Sequence, residues 1–193
     1  MTRRGSNKYQ RIIEAAVNIF ADKGFHQTTM EEIAHQAGVG KGTLYIHFEN
    51  KDHLFSSILD DGIEGLVEYV NQQLIASASP KENLKLAIRA QLEYFSMHQK
   101  FCIFLVRELW GFRLTLMDRI VRLHNRHTVI IRDILARGVE EGSFKIDDLE
   151  SSATVIVGSV WAVAVHWLTF ADEFPVERIY RSVIKVLFES FKE

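Results

Sequence analysis

The sequence predicts an all-α fold of about nine helices, opened by a helix-turn-helix. Two prolines in 193 residues and almost no β-branched alternation leave little room for strands. Residues 28–48 fall into two short helical patterns around Gly38-Val39-Gly40, the layout of a helix-turn-helix. Capping signals divide the rest of the chain into longer helices.

The first helix runs from about Asn7 to Lys23, with Gly24 as its stop. Thr28 and Thr29 can each cap the second, and Glu31 and Glu32, three residues later, can close a capping box. Ile33, Ala34 and Ala37 give that helix an apolar face, and Glu32, His35 and Gln36 a polar one. Ala34 is small where the next helix must cross closely. Gly38 can take the positive φ that ends the helix. In the third helix Leu44 and Phe48 stand four apart and face inward. Thr43, Tyr45 and His47 are left outside, a flat, polar set that suits phosphates and base edges.

Asn50 caps a fourth helix from Lys51 to about Ile75, roughly 37 Å long at 1.5 Å per residue. It is the expected mechanical link between reader and body. Ser77-Ala78-Ser79-Pro80 is the first clear break, with Ser79 and Glu82 forming a second capping box and Pro80 at the first helical position. Helix five then reaches about His98, helix six spans Phe101 to about Gly111, and helix seven runs from about Leu114 to Gly138 or beyond. Glu141-Gly142-Ser143-Phe144 reads as a loop, helix eight covers about 148–170, and Pro175 opens helix nine.

Gly38-Val39-Gly40-Lys41-Gly42-Thr43 also looks superficially like a phosphate-binding loop. That loop needs Lys followed directly by Ser or Thr, and Gly42 intervenes; it also needs a preceding strand, whereas Ile33–Ala37 has helical spacing. A helical hairpin with no DNA role is the plainer rival.

Residues 8–55 resemble the N-terminal domain of TetR-family transcriptional repressors. The matching features are Ile12-Ile13-x-x-Ala16-x-x-x-Phe20, Lys23-Gly24-Phe25, Thr28-Thr29 and Ile33-Ala34-x-x-Ala37-Gly38-Val39. Lys41-Gly42-Thr43-Leu44-Tyr45, His47-Phe48 and Asn50-Lys51 with Leu54 complete the set. Two positions depart from it. Gly40 replaces the usual capping Ser, at a cost of a few tenths of a kcal/mol. Ile46 replaces a common second aromatic, so a contact from there becomes apolar, for instance to a thymine methyl. The resemblance implies a DNA-binding domain at 1–53 and a helical ligand-binding and dimerisation domain at 54–193.

Composition neither announces nor forbids a nucleic-acid partner. Net charge is −2. Through His53 there are seven Lys/Arg against six Asp/Glu, yet Arg3, Arg4, Lys8 and Arg11 all precede the first acid, Glu14. Such an arm can lie along phosphates, or can simply be a solvated terminus. The single cysteine, Cys102, excludes an intrachain disulfide, suits a reducing cytoplasm and reads as a small buried hydrophobe. Thr2-Arg3-Arg4-Gly5 lacks the apolar run of a secretory signal. Ala153–Ala171 carries no Asp, Glu, Lys or Arg and approaches the length of a membrane span. Thr154, Ser159, His166 and Thr169, with acidic flanks, favour a helix buried on all sides in a soluble bundle or dimer.

Large apolar residues crowd helices five to eight: Phe95, Phe101, Phe104, Trp110, Phe112, Trp161, Trp167 and Phe170. The family resemblance implies that these helices enclose a ligand cavity; any one of these residues can equally be ordinary core. The expected ligand-site set is Arg89, Phe101, Phe104, Arg107, Trp110, Arg113, Trp161 and Trp167. Val155, Gly158, Ala162 and Val165 form one smooth stripe and Ile179, Val183, Val186 and Leu187 another. Together they would make a four-helix homodimer interface, as the resemblance also implies.

Enzyme constellations are poor. Glu32-x-x-His35 lacks the second copy that a di-iron site needs. His124-x-x-His127 lacks the Cys or carboxylates to finish a metal shell. No Gly-x-Ser-x-Gly elbow is present. No catalytic residue, cofactor or metal is therefore expected.

The expectation is a cytoplasmic homodimeric repressor that releases a palindromic double-stranded operator when a small apolar effector binds. Thr28, Thr29, Tyr45, His47 and Lys51, with Arg3 and Arg4, are expected on phosphates; Lys41, Gly42 and Thr43, capped by Gly40, on base edges. The body resembles the fatty-acid-responsive FadR branch of the family through Glu108-Leu109, Gly138 and Gly142 after helix seven, and the Gly158…Trp167 spacing. Trp110 departs from the Arg expected there. That resemblance implies long-chain acyl-CoA as effector. An apolar, aromatic body also suits a planar aromatic, as in a multidrug-responsive efflux repressor, and a helical interaction module that never binds DNA is the rival class.

Overall fold

The computed structural model describes residues 7–110 and 114–188, with side chains at 7–106 and 125–188. Nine helices occupy the described residues: α1 (Asn7–Lys23), α2 (Met30–Ala37), α3 (Lys41–His47), α4 (Lys51–Gln73), α5 (Pro80–Met97), α6 (Gln99–Trp110), α7 (Leu114–Glu140), α8 (Leu149–Phe170) and α9 (Val176–Phe188). They group into two compact units, Met1–Gly62 with Lys100–Thr115, and Ile63–Gln99 with Leu116–Glu193.

In the first unit each helix is bounded by a local device. Tyr9, Ile12, Ala16, Ile19 and Phe20 stripe the buried face of α1. Gly24, at φ 84°, ends it. Of the two threonines, Thr29 is the cap of α2: its hydroxyl accepts from the Glu32 N–H, and the Glu32 carboxylate accepts from the Thr29 N–H at 2.8 Å. Gly38, at φ 61°, closes α2 in the left-handed conformation, and Arg11 donates to its carbonyl at 3.1 Å. Asn50 caps α4 by accepting from the His53 N–H at 2.8 Å.

The core of this unit is aromatic. Phe104 of α6 is fully buried, stacked on Phe20 with ring centroids 5.3 Å apart and set edge-on to Phe55 at 4.8 Å. Phe101, one turn earlier, lies so close to Gly62 of α4 that a Cβ there would come within 2.1 Å of its ring. Cys102 is fully buried beside them, and burial pushes its thiol up to about 12, so it behaves as the small hydrophobe expected.

In the second unit α5 packs against both α8 and α9. Leu84, Ala87, Ile88 and Leu92 meet a core that includes Ala153, Val157, Val160, Ala164, Ile179, Val183 and Ile184. Ser79 and Glu82 close the predicted capping box at α5. Buried Asn83 holds the preceding turn by accepting from the Ile75 N–H and donating to its carbonyl, both at 2.9 Å. That turn ends α4 two residues before the expected limit.

Helix α8 is only partly covered by its own chain. By length and composition it is the one helix among the described residues able to cross a membrane, yet only 22% of its apolar window is buried within the chain. Only the stripe Ala153, Val157, Val160 and Ala164 is covered; Val155 is 64% exposed and Phe170 77%. The chain itself therefore does not bury α8 on all sides. Ile179 and Val183 depart from the expected outer stripe: on a helix that packs against α5, both are buried within the single chain.

Candidate nucleic-acid interface

Leu44 and Phe48, both buried, hold α3 against the first unit. Their spacing turns the opposite face outward. Gly40, Lys41 and Gly42 are exposed, Thr43 is half-buried, and Tyr45 and Ile46 are large side chains left in the open. The Lys41 ammonium pairs with Glu31 of α2 and lies 6.0 Å from the centre of the Tyr45 ring. That hydrogen bond with Lys41 holds the Glu31 carboxyl below its ordinary range, and Glu31 in turn raises Lys41.

Three of the residues expected on phosphates serve the fold first. Thr28 is buried and donates its hydroxyl to the Gly24 carbonyl at 2.7 Å. The Thr29 hydroxyl is engaged by Glu32. Lys51 turns its ammonium back into the unit, donating to the carbonyls of Phe25 at 2.7 Å and Thr28 at 2.6 Å, over the Phe25 ring at 4.3 Å. A cation there satisfies carbonyls that the α1–α2 loop leaves without helical partners. His47 is half-buried, edge-on to Tyr9 at 6.0 Å, and its Nδ1 makes no hydrogen bond among the described residues. Arg3 and Arg4 lie outside the described residues.

Ile46, from which the sequence allows an apolar contact, is 60% exposed, and its spacing of four from Gly42 puts both on the outward face. Tyr9 is an omission from the expected set. It carries no sequence signal beyond an apolar register on α1, but it links Asp61 of α4 to the recognition helix.

The expected ligand-site residues are divided between the two units and the side chains outside the described residues. Phe101 and Phe104 are core of the first unit. In the second, Arg89 is tied to Glu177 at 3.0 Å and lies over the Tyr180 ring at 4.1 Å. Trp161 sits edge-on to Phe95 at 5.4 Å, and Trp167 carries Arg178 over its ring at 5.1 Å. The side chains of Arg107, Trp110 and Arg113 lie outside the described residues. Among the described residues no three His, Cys, Asp or Glu side chains are grouped to hold a metal ion.

Comparison with known proteins agrees with this geometry. The family model for bacterial regulatory proteins of the tetR family matches residues 12–58, and that for the tetracyclin repressor-like C-terminal domain matches residues 77–190. The chain is 28% identical over 181 residues to the fatty acid metabolism regulator protein of Bacillus subtilis, covering 93% of both chains. It is 26% identical over 184 residues to the transcriptional repressor KstR2 of Mycolicibacterium smegmatis, covering 94% of this chain and 89% of that one. Among solved structures, FadR from Bacillus subtilis in complex with stearoyl-CoA superposes with a TM-score of 0.87 at 26% identity, covering 95% of this chain and all of that one. The fatty acid degradation regulator FadR from Bacillus halodurans shares the fold, with a TM-score of 0.91 at 24% identity over 99% of this chain and all of that one. These relatives are regulators and not enzymes. The chain belongs to the tetR family of bacterial regulatory proteins and is a DNA-binding transcriptional regulator.

Proposed function

We propose that this regulator is a cytoplasmic homodimeric repressor of fatty-acid metabolism genes, released from a palindromic operator by long-chain acyl-CoA. The observation that carries the effector assignment is the chain-long likeness to a regulator whose structure holds stearoyl-CoA. Each subunit lays α3 in a major groove, with Lys41, Gly42 and Thr43 toward base edges and Tyr45 toward the backbone. The reader is taken as residues 1–53 and the ligand-binding and dimerisation domain as 54–193. Val155, Gly158, Ala162, Val165, Val186 and Leu187 form the dimer surface; the exposure of Val155 and Val186, 64% and 52%, supports this reading.

Acyl-CoA favours a body conformation whose paired readers no longer fit two adjacent grooves, a shift of population by differential affinity. Arg107 and Arg113 are the arginines proposed for the CoA phosphates, since Arg89 is committed to Glu177. An efflux repressor responding to planar aromatics has less support, because the chain-long likeness is to a regulator whose structure holds an acyl-CoA.

The test is displacement of the protein from its own upstream DNA by stearoyl-CoA, with free stearate and a planar aromatic in parallel. Release by stearoyl-CoA at concentrations where the other two do nothing is expected. Release by the aromatic alone would overturn the effector class.

A further inference from the structure

Gly42 and Ile46 stand one turn apart on the outward face of α3, and the fold does not require glycine at the first. Gly42 is not among the positive-φ glycines, and a Cβ added there would meet nothing within 4 Å. Glycine is one of the poorest helix formers, so a helix that keeps it without internal need gains something outside the chain. A backbone stripped of Cβ is what close approach by another surface uses.

Ile46 supplies the complementary half. It is 60% exposed, the most open large apolar side chain among the described residues of the first unit. Lys41 and Tyr45 flank it, so the patch is too small and too polar-edged for a protein–protein contact. Phosphate oxygens give a branched aliphatic side chain nothing to bind. Within the major groove, the one apolar feature is the 5-methyl group of thymine.

We propose that Ile46 determines part of the operator sequence by packing on a thymine methyl, with Gly42 admitting α3 to the depth this contact needs. The inference rests on the DNA-binding reading above and deepens it, naming T·A as the base pair that α3 demands at one position.

The test begins with a duplex selected by the wild-type protein from a random pool. Each thymine of that duplex is then replaced by deoxyuridine, which removes the 5-methyl group and changes nothing else. Wild type should lose about four-fold in affinity at one position of each half-site, the factor a single buried methylene carries. Ile46→Ala should melt as wild type does, bind the parent duplex about as weakly as wild type binds the duplex substituted in both half-sites, and show no position dependence. Ile46→Val should keep the position-dependent loss. Gly42→Ala should melt at the same temperature or higher, yet bind at least ten-fold more weakly.

A flat deoxyuridine scan with wild type, or an unchanged scan with Ile46→Ala, would overturn the thymine contact. Wild-type affinity in Gly42→Ala would overturn the close approach. If no sequence is enriched from the pool at all, it is the DNA-binding reading itself that fails.

Discussion

Tyr9 of α1 donates a 2.7 Å hydrogen bond to Asp61 of α4, while its ring lies 5.2 Å from Phe48 at the end of the recognition helix. One side chain, 3% exposed, thus ties the helix that leaves the reader to the helix that reads. Tyr9→Phe keeps the ring and removes only the hydroxyl. It should cost about 1 kcal/mol of stability, the usual net worth of such a bond. If the bond also fixes the angle of α3, specific operator affinity should fall while affinity for random duplex holds. Thermal unfolding and paired titrations check both. Equal weakening on both duplexes would show that Tyr9 supports the fold alone.

Lys51 is expected to act on stability and not on salt dependence. Its ammonium bridges the carbonyls of Phe25 and Thr28, so Lys51→Met should cost roughly 1–2 kcal/mol while keeping the aliphatic stem over the Phe25 ring. A lysine on phosphate would behave differently: its loss lowers the slope of log affinity against log salt by about one. Denaturant titration and a salt series on the same variant separate the two roles.

Glu31 is predicted to restrain DNA binding. It holds Lys41 in the free protein and would place a carboxylate beside the phosphates in the complex. Glu31→Gln should therefore tighten binding by a few-fold, because so exposed a pair adds little to the fold and its loss leaves the structure intact. The gain should shrink as salt rises. Equal affinity at low salt would place Lys41 away from the DNA.

Acid should weaken the reader through Glu32. Hydrogen bonds from Lys23 and Thr29 hold its carboxyl at about 2, against an ordinary 4.5. A depressed carboxylate stabilises the folded state above the ordinary value, and that stabilisation is lost as pH falls from about 4.5 toward 2. Glu32→Gln retains the cap and removes the titration, so its stability should vary less with pH across that window. Parallel profiles for wild type and variant would refute the linkage.

What sequence could and could not reveal follows from the range of each interaction. The caps at Thr29–Glu32, Gly38 and Ser79–Glu82 were legible because each is complete within a few residues. The fate of Lys51 was not, since its carbonyl partners lie 23 and 26 positions away in a loop with no pattern of its own. The surroundings of Phe104 were hidden for a similar reason. Its helical register says that it is buried, but not that its neighbours are Phe20 and Phe55 of the first unit. Ile179 and Val183 show the same limit, because an apolar stripe does not say whether its cover comes from α5 or from a second subunit.

That ambiguity gives a clean test of the dimer. A Cβ added at Gly158 would meet nothing within 4 Å and Ala162 is exposed, so an arginine at either has room in the single chain. Gly158→Arg or Ala162→Arg should leave helicity intact and shift the protein to monomer, since a paired subunit would have to bury the new charge. Val183 is 6% exposed inside the subunit, so Val183→Arg should instead unfold the second unit. Sedimentation and circular dichroism on the three variants distinguish the outcomes. If Ala162→Arg stays dimeric while Val183→Arg loses only its partner, the subunits pair through α9 and not through the open face of α8.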